Sequence, residues 1–226
     1  MNTNDVPVIA IDGPSASGKG TVAQRVAAKL GFHYLDSGAL YRLVALATMR
    51  AKVDLADERT ISDVAAGLDV VFKDEEIRLG NESVTDAIRT EACGNSASRI
   101  AAYPLVRAAL LARQRAFCQL PGLVADGRDM GSVVFPEAIL KIFLTASAET
   151  RAQRRHKQLM EKGIGANIAT LLQDIRDRDA RDSNRSVAPL QLGTDTTLLD
   201  TTSLDITQAV DSVLKQYTEI CAKARR

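Results

Sequence analysis

A glycine-rich segment near the start of the chain combines residue types that bind phosphate groups. Its letters are GPSASGKGT, and its members are Gly13, Pro14, Ser15, Ala16, Ser17, Gly18, Lys19, Gly20 and Thr21. Glycines let the backbone curl until successive N–H groups converge on phosphate oxygens, and the lysine adds a mobile positive charge. The apolar run 8–11 predicts a buried strand before it, and the four-residue spacing of Val22, Val26 and Leu30 predicts a helix after it. This order is that of a Walker A loop, which binds nucleotide phosphates.

The segment departs from the usual Walker A pattern at one position. Gly20 follows Lys19 where a Ser or Thr normally supplies a hydroxyl ligand for Mg²⁺, and the hydroxyl comes one residue later, at Thr21. A GKGT ending is similar to that of adenylate kinase and its relatives, whose acceptors are nucleoside monophosphates. A GTPase is disfavoured because the chain has no Asn-Lys-x-Asp sequence for guanine. The alternative, a Gly/Ser-rich turn with an exposed lysine, leaves the flanking strand and helix unexplained.

Several arginines stand where they can neutralise nucleotide phosphates. Phosphoryl transfer to a second phosphate brings many anionic oxygens together, so arginines from several elements are expected around it. Taken singly, each is more commonly a solvated or ion-paired surface residue, and the alternating charges of 174–185 are typical of a solvent-facing helix. Their occurrence together with a phosphate loop favours a functional role. The candidates are Arg42, Arg128, the helix face of Arg151, Arg154 and Arg155, and the i, i+4, i+7 set of Arg178, Asp182 and Arg185.

Four segments together resemble bacterial cytidylate kinases. They are GPSASGKGT at 13–21, DSGALYR at 36–42, ADGRDMGSVVFP at 125–136 and RDARDSNRSVAPL at 178–190. The intervals between them also fit, and the resemblance covers nearly the whole chain. It implies transfer of the γ-phosphoryl group from Mg²⁺-bound ATP to CMP or dCMP, giving CDP or dCDP. Positioning and charge neutralisation carry most of such a reaction, so no covalent enzyme intermediate is required.

The resemblance also implies a set of site residues. Residues 13–21 are expected to hold the ATP phosphates, and Asp129 to lie beside the acceptor. Ser98 and Asp182 are expected to read cytosine and ribose, with Asp182 accepting from the 2′-hydroxyl group. For Ser98 and Arg107 a simple helix surface is an equal alternative. The residues expected around the acceptor phosphate or base are Ser37, Arg42, Arg107, Arg128, Arg178 and Arg185, and the expected catalytic residues are Lys19, Arg128, Asp129, Arg154 and Arg155.

The elements that must position these residues alternate between strand and helix. Short apolar runs predict strands at 8–11, 34–35, 123–126, 139–144 and 197–199. Helices are predicted from the cap at Asp36–Ser37 through Met49, at 105–117, at 148–161, at 168–182 and at the end of the chain. This alternation predicts an α/β fold, a P-loop NTPase-type parallel sheet flanked by helices. Between about 65 and 84, period-two patterning and turn residues instead predict a small antiparallel hairpin.

The chain is predicted to form a single kinase domain over 1–226. Its core comprises 6–63 and 104–226, and 64–103 is an acceptor-binding insertion that contains the hairpin. The resemblance adds a short mobile lid at 150–165. Arg154 and Arg155 are the lid candidates, and closure of the lid would exclude water from the transfer.

Composition limits the classes of partner. The 226 residues carry 29 Lys and Arg against 28 Asp and Glu, so nothing favours nucleic acid or an anionic membrane surface. No apolar stretch is long enough to span a bilayer. Three widely spaced cysteines suggest no disulfide framework, and the two histidines lack metal-ligand spacing. We therefore expect a cytoplasmic protein, a monomer, whose partners are small molecules.

Three other functions are compatible with parts of the sequence. A related P-loop kinase would use UMP, AMP or an alcohol such as shikimate as acceptor. A P-loop binding switch would hydrolyse nucleotide without any monophosphate. An RNA-binding protein would use the arginine-rich helices, but aromatic residues make up only 4% of the chain and do not alternate with those arginines.

Overall fold

The computed structural model describes residues 6–73 and 76–224. The strands are β1 (Val8–Asp12), β2 (His33–Asp36), β3 (Val70–Lys73), β4 (Glu76–Leu79), β5 (Glu82–Ser83), β6 (Leu123–Gly127), β7 (Leu140–Thr145) and β8 (Thr197–Asp200). The helices are α1 (Lys19–Leu30), α2 (Ser37–Arg50), α3 (Glu58–Ala66), α4 (Glu91–Ile100), α5 (Pro104–Arg115), α6 (Ala148–Glu161), α7 (Ile168–Ser183) and α8 (Ile206–Ala224). These residues divide into two compact units: the first runs up to Leu35 and resumes at Ala116, and the second is Asp36–Arg115.

The first unit is built on a five-stranded sheet. Its strand order is β2-β6-β1-β7-β8. Strand β1 pairs in parallel with β6 and β7, and β7 pairs in parallel with β8. All residues of β1 and β6 are buried, as expected for central strands covered on both faces. The sequence-based prediction of a P-loop NTPase-type parallel sheet is confirmed.

Helices α1 and α8 pack together in the core of this unit. The four-residue repeat of α1 buries Val22 and Val26, and α8 contributes Val210 and Val213 to the same cluster. Gly31 ends α1 in the left-handed conformation, at φ 67°, where a side chain would be strained. The repeat predicted from sequence therefore defines the face that holds α1 against the sheet.

Polar caps begin the two charged helices of the first unit. The side chain of Ser147 accepts a hydrogen bond from the backbone N–H of Thr150 at the start of α6. That of Asn167 accepts from Ala169 and Thr170 at the start of α7. Such caps satisfy N–H groups that have no partner within the helix. The predicted helices at 148–161 and 168–182 are confirmed, the second one residue longer.

The second unit has its own helices and a small sheet. Helix α2 packs on α4, and α3 packs on α5. Strands β3 and β4 are antiparallel, with Val70 opposite Leu79 and Phe72 opposite Ile77, so the predicted hairpin is confirmed. The short strand β5 extends it to a three-stranded sheet. In sequence, the second unit extends beyond the predicted insertion of 64–103 at both ends. The acceptor-binding role of that insertion stays a prediction.

No helix among residues 6–73 and 76–224 combines the length and the apolar character that crossing a membrane requires.

Candidate active site

The phosphate loop joins β1 to α1 at the carboxyl edge of the sheet. A Cβ atom at Gly13 would collide with the backbone carbonyl oxygen of Leu144 on β7, so only glycine fits there. Ala16 and Gly18 have φ angles of 56° and 91°. Left-handed residues within a turn direct successive N–H groups into one concavity, and the N-terminus of α1 adds its positive end to the same point. The Nζ atom of Lys19 donates to the carbonyl of Pro14 at 3.2 Å, across the loop.

Two arginines of α6 hold the carbonyl groups of this loop. Arg151 Nη1 lies 3.0 Å from the carbonyl oxygen of Ser15. Arg154 Nη1 lies 3.1 Å from that of Ser17 and also donates to the hydroxyl group of Thr201, while Arg154 Nη2 donates to the backbone carbonyl of Thr201. Burial lowers the pKa of Arg154 from its ordinary value, although Asp200 opposes the shift. Arg155, the other predicted lid residue, donates to the side chain of Gln158 on the same helix. The lid roles of Arg154 and Arg155 stay predictions.

Arg128, Asp182 and Arg185 form a cluster that contacts the phosphate loop. Arg128 Nε donates to Asp182 Oδ2 at 2.6 Å, and Arg128 Nη2 donates to the hydroxyl group of Ser15 at 3.0 Å. Arg185 donates to the other carboxylate oxygen of Asp182. Burial raises the pKa of Asp182, but the charges of Arg128 and Arg185 outweigh burial and hold that pKa below its ordinary value. Asp182 is therefore an ionised carboxylate fixed between two guanidinium groups.

The inner face of α7 carries this cluster. Arg178 and Asp182 are buried, together with Leu171 and Ile175. The charges of 174–185 were also compatible with a solvent-facing helix. That interpretation is wrong for Arg178 and Asp182, because these two charged side chains lie on the buried face of the helix.

Two buried carboxylates lie at the ends of the central strands. Asp12, which ends β1, accepts from the backbone N–H groups of Met130 and Gly131 at 2.8 and 2.9 Å. Burial raises its pKa to about 6, and the nearby charge of Asp129 adds to the shift. Asp126, near the end of β6, accepts from the hydroxyl group of Tyr34 at 2.7 Å. Asp129 is also buried, in the turn that precedes the π-helical segment Met130–Val134.

The remaining predicted residues lie in the second unit. Ser37 is the first residue of α2 and is buried, while Ser98 is half-buried on α4. Arg42 donates to the carbonyl of Ile88 at 2.6 Å. Arg107 on α5 is buried and donates to the carbonyl of Ala101 at 3.3 Å, so the helix-surface alternative is wrong for Arg107. The roles of these four residues in binding an acceptor stay predictions.

Comparison with known proteins identifies the family. The family model described as cytidylate kinase matches residues 9–219. The chain belongs to the cytidylate kinase family. It is 60% identical to a cytidylate kinase of Nitrosomonas europaea, over 97% of this chain and 98% of that protein. It is also 60% identical to a cytidylate kinase of Burkholderia mallei, over 95% of this chain and 94% of that protein. The resemblance predicted from the four motifs is confirmed.

Among solved structures, a gluconokinase from Sinorhizobium meliloti 1021 is similar in fold to this member of the cytidylate kinase family. The two superpose with a TM-score of 0.51 at 16% sequence identity, over 98% of this chain and 96% of the gluconokinase. A likeness at this identity concerns the fold alone.

In this cytidylate kinase family member, Asp12 and Asp179 contact the site region but were not predicted as site residues, and Arg151, a candidate for neutralising phosphate, holds the phosphate loop instead. Asp12 holds the segment after Arg128 and Asp129, Arg151 holds the carbonyl of Ser15, and Asp179 accepts from Arg151 at 3.1 and 2.5 Å. Asp12 had one signal in the sequence, since it is the first polar residue after a wholly apolar strand. Asp179 lies in the segment 178–190, but nothing in the sequence indicated its contact with Arg151, which is 28 positions away.

Proposed function

We propose that this protein transfers the γ-phosphoryl group of ATP to CMP or dCMP, forming CDP or dCDP. The observation that carries the proposal is the contact of Arg128 with both Ser15 and Asp182. It joins the loop expected to hold the donor phosphates to the motif expected to read the acceptor. Membership of the cytidylate kinase family, and the names of relatives at 60% identity, support cytosine as the acceptor base.

The donor phosphates bind to the backbone of residues 13–21. The positively charged side chain of Lys19 stays beside the phosphoryl group as it is transferred. The backbone N–H groups at the start of α1 bind the phosphate oxygens that stay on the donor nucleotide. The transfer is in line, so this part of the protein contributes position and positive charge and does not form a covalent bond.

The acceptor nucleotide lies against arginines and one fixed carboxylate. Arg128, Arg178 and Arg185 neutralise its phosphate, with Asp129 beside them. Asp182 is ionised at neutral pH, because its pKa lies below the ordinary value, and it therefore accepts a hydrogen bond from the ribose 2′-hydroxyl group. The resemblance to cytidylate kinases also assigns Ser37, Arg42, Ser98 and Arg107 to recognition of the acceptor phosphate or base.

The residues near Gly20 fit a magnesium ion that is held mainly by phosphates. Among the described residues, no three or more His, Cys, Asp and Glu side chains group as a metal site. Kinases commonly bind Mg²⁺ through one or two carboxylates and the substrate phosphates, so such a group is not required. A Cβ atom at Gly20 would lie 3.8 Å from Asp126 Oδ1, which places this buried carboxylate beside the first turn of α1. Asp126 is the carboxylate that would hold Mg²⁺, and the bound ion would neutralise phosphate charge.

Helix α6 and the loop after it act as the lid over 150–165. Arg154 and Arg155 stabilise charge on the transferred group, and closure of the lid keeps water from accepting the phosphoryl group. The protein acts as a monomer in the cytoplasm, on small molecules alone.

The test is an ADP-release assay with Mg²⁺-ATP and each of CMP, dCMP, UMP, AMP, GMP and shikimate. We expect turnover with CMP and dCMP to exceed that with every other acceptor by at least about tenfold. Preferential use of another acceptor would assign the protein to a related small-molecule kinase. ADP release that does not depend on any acceptor would indicate a nucleotide-binding switch.

A Lys19→Ala variant provides the control for this assay. We expect turnover to fall by at least about a hundredfold, because the charge on the transferred group loses its mobile partner. The fold should persist, since Lys19 is only half-buried at the surface of the loop. Wild-type turnover in this variant would contradict the role assigned to the loop.

A further inference from the structure

The guanidinium group of Arg151 is buried at the junction of three segments. Arg151 Nε donates to the carbonyl of Ala146 at 2.9 Å, which anchors the side chain at the start of its own helix. Arg151 Nη1 donates to the carbonyl of Ser15 at 3.0 Å and to Asp179 at 3.1 Å, and Nη2 donates to Asp179 at 2.5 Å. The side chain of Arg151 is only 5% exposed. A buried arginine held on every side in this way has one orientation.

That orientation fixes one peptide group of the phosphate loop. In a planar trans peptide the carbonyl and the following N–H point in opposite directions. Because Arg151 binds the carbonyl of Ser15, the N–H of Ala16 points away from Arg151. Ala16 is also left-handed, at φ 56°, a conformation that a residue with a side chain keeps only when its surroundings hold it. The hydrogen bond from Arg151 to the carbonyl of Ser15 restrains the Ser15–Ala16 peptide and so helps to hold Ala16 in this conformation.

Helix α7 contacts Ser15 through two separate arginines. Asp179 binds Arg151, which holds the Ser15 carbonyl, while Asp182 binds Arg128, which holds the Ser15 hydroxyl. Asp179 and Asp182 are three residues apart on one helix, so they lie on neighbouring parts of one face. Both lie in the segment 178–190, but only Asp182 is expected to read the acceptor ribose.

We propose that Arg151 and Asp179 form a positioning pair that holds the Ser15–Ala16 peptide in the orientation that binds the donor phosphates. The pair acts on donor binding through the loop and contacts neither substrate. The inference deepens the proposed function, since it takes ATP as the ligand of that loop.

The test measures binding of a non-hydrolysable ATP analogue and of CMP, each alone, by calorimetry on the full chain. In Asp179→Asn and in Arg151→Gln we expect the affinity for the ATP analogue to fall by about three- to tenfold, the range for loss of a charge-assisted hydrogen bond that acts indirectly. Affinity for CMP should change by less than about twofold. In steady-state assays the KM for ATP should rise and that for CMP should not.

The chain offers a matched control on the same two helices. Arg176 of α7 donates to Glu149 of α6 at 2.9 Å, and both side chains are more than half exposed. This pair joins α6 to α7 but makes no described contact with the phosphate loop. Glu149→Gln should therefore leave the affinity for the ATP analogue within about twofold of wild type.

A double variant tests whether the two residues act together. Arg151→Gln/Asp179→Asn should weaken binding of the ATP analogue no more than the worse single variant, because each removes the same restraint. Asp179 is partly exposed, with 27% of its side chain accessible, so Asp179→Asn stays informative if Arg151→Gln does not fold.

Three outcomes would overturn the proposal that Arg151 and Asp179 position the Ser15–Ala16 peptide. They are unchanged affinity for the ATP analogue in Asp179→Asn, an equal loss in Glu149→Gln, and an equal loss of affinity for CMP. The proposed function has a separate test, since wild-type protein that binds the ATP analogue but phosphorylates no cytidine nucleotide would refute the acceptor, while the affinities of the variants would still decide the role of the pair.

Discussion

At the scale of single residues, two buried carboxylates of the first unit have pKa values that are shifted in opposite directions. Asp182 lies between two arginines, and their charges hold its pKa below the ordinary value. Asp12 has two backbone N–H partners, which do not offset burial, and its pKa rises to about 6. The difference follows from the partners: a full positive charge offsets lost hydration where two peptide dipoles do not.

Asp12 predicts a specific dependence of stability on pH. Its folded-state pKa of about 6 exceeds the ordinary 3.8, so the folded protein binds this proton more tightly than the unfolded chain does. The proton on Asp12 therefore stabilises the folded state at low pH, and this stabilisation is lost as the pH rises through about 6. Between about pH 4 and pH 7, the free energy of unfolding of Asp12→Asn, measured with urea, should increase relative to that of wild type by about 2 kcal/mol. A constant difference between the two proteins across that range would refute the shifted pKa.

Asp182 predicts discrimination between ribose and deoxyribose. Asp182→Asn loosens Arg128 and Arg185, so both CMP and dCMP should bind more weakly. For CMP alone, the charged acceptor of the 2′-hydroxyl group also becomes a weaker, neutral amide oxygen, and the ratio of kcat/KM for CMP over dCMP should fall by about three- to fivefold. The control is Asp177→Asn, since Asp177 is exposed on the same helix and accepts from Gln173. An unchanged ratio would rule out Asp182 as the reader of the 2′-hydroxyl group.

The sequence predicted some site residues and not others for a physical reason. The phosphate loop is contiguous, so its residue types and spacing are visible along the chain. Arg151 and Asp179 act through contacts with residues far away in sequence, such as the 136 positions that separate Ser15 from Arg151. Charge alone does not distinguish such residues from the exposed pair Glu149 and Arg176. Only the fold shows which arginine of a charged helix faces inward.

At the scale of elements, the junction between α1, β6 and α8 depends on one glycine. A Cβ atom at Gly122, just before β6, would lie 2.5 Å from the ring of Phe32. That ring packs edge-on against Tyr217 of α8, with ring centroids 5.8 Å apart. The close approach sets how near the loop before β6 can come to the end of α1.

Replacement of this glycine should destabilise the protein. We expect Gly122→Ala to lower the free energy of unfolding by about 1–3 kcal/mol, the usual cost of overpacking a well-packed site. Gly165→Ala is the control, because a Cβ atom there would have no neighbour within 4 Å. In Gly122→Ala/Phe32→Leu the loss should be smaller than the sum of the two single losses, as measured by urea unfolding. Full additivity would show that the ring is not the obstacle.

Strands and amphipathic helices were predictable, whereas two helices of the second unit were not. Strands β1, β6 and β7 are apolar runs, and α1 repeats its valines every four residues. In contrast, α4 buries Cys93, Gly94, Ala97 and Ile100, a face of mostly small residues. Helix α3 buries only Ile61 and Ala65. Small buried faces give little periodic signal, although they pack helices closely.

At the scale of the whole molecule, the described contacts of the candidate site come from a single chain. Arg128 contacts the phosphate loop, and Arg128 and Arg185 both contact Asp182. The proposal that the protein acts as a monomer predicts that sedimentation equilibrium at micromolar concentration gives the mass of one chain, with kcat independent of enzyme concentration. A mass that rises with concentration, accompanied by a rise in kcat, would show that a second copy takes part in catalysis.

The order of the two units along the chain has a consequence for synthesis on the ribosome. The second unit is one continuous segment, whereas the first is completed only by residues after Ala116. Strand β1 emerges early, but its partners β6 and β7 follow more than a hundred residues later. Since domains generally fold as units during translation, Asp36–Arg115 is the first unit available in full. During translation, the apolar strand β1 therefore lacks at least one of its two partner strands until the ribosome has passed Thr145.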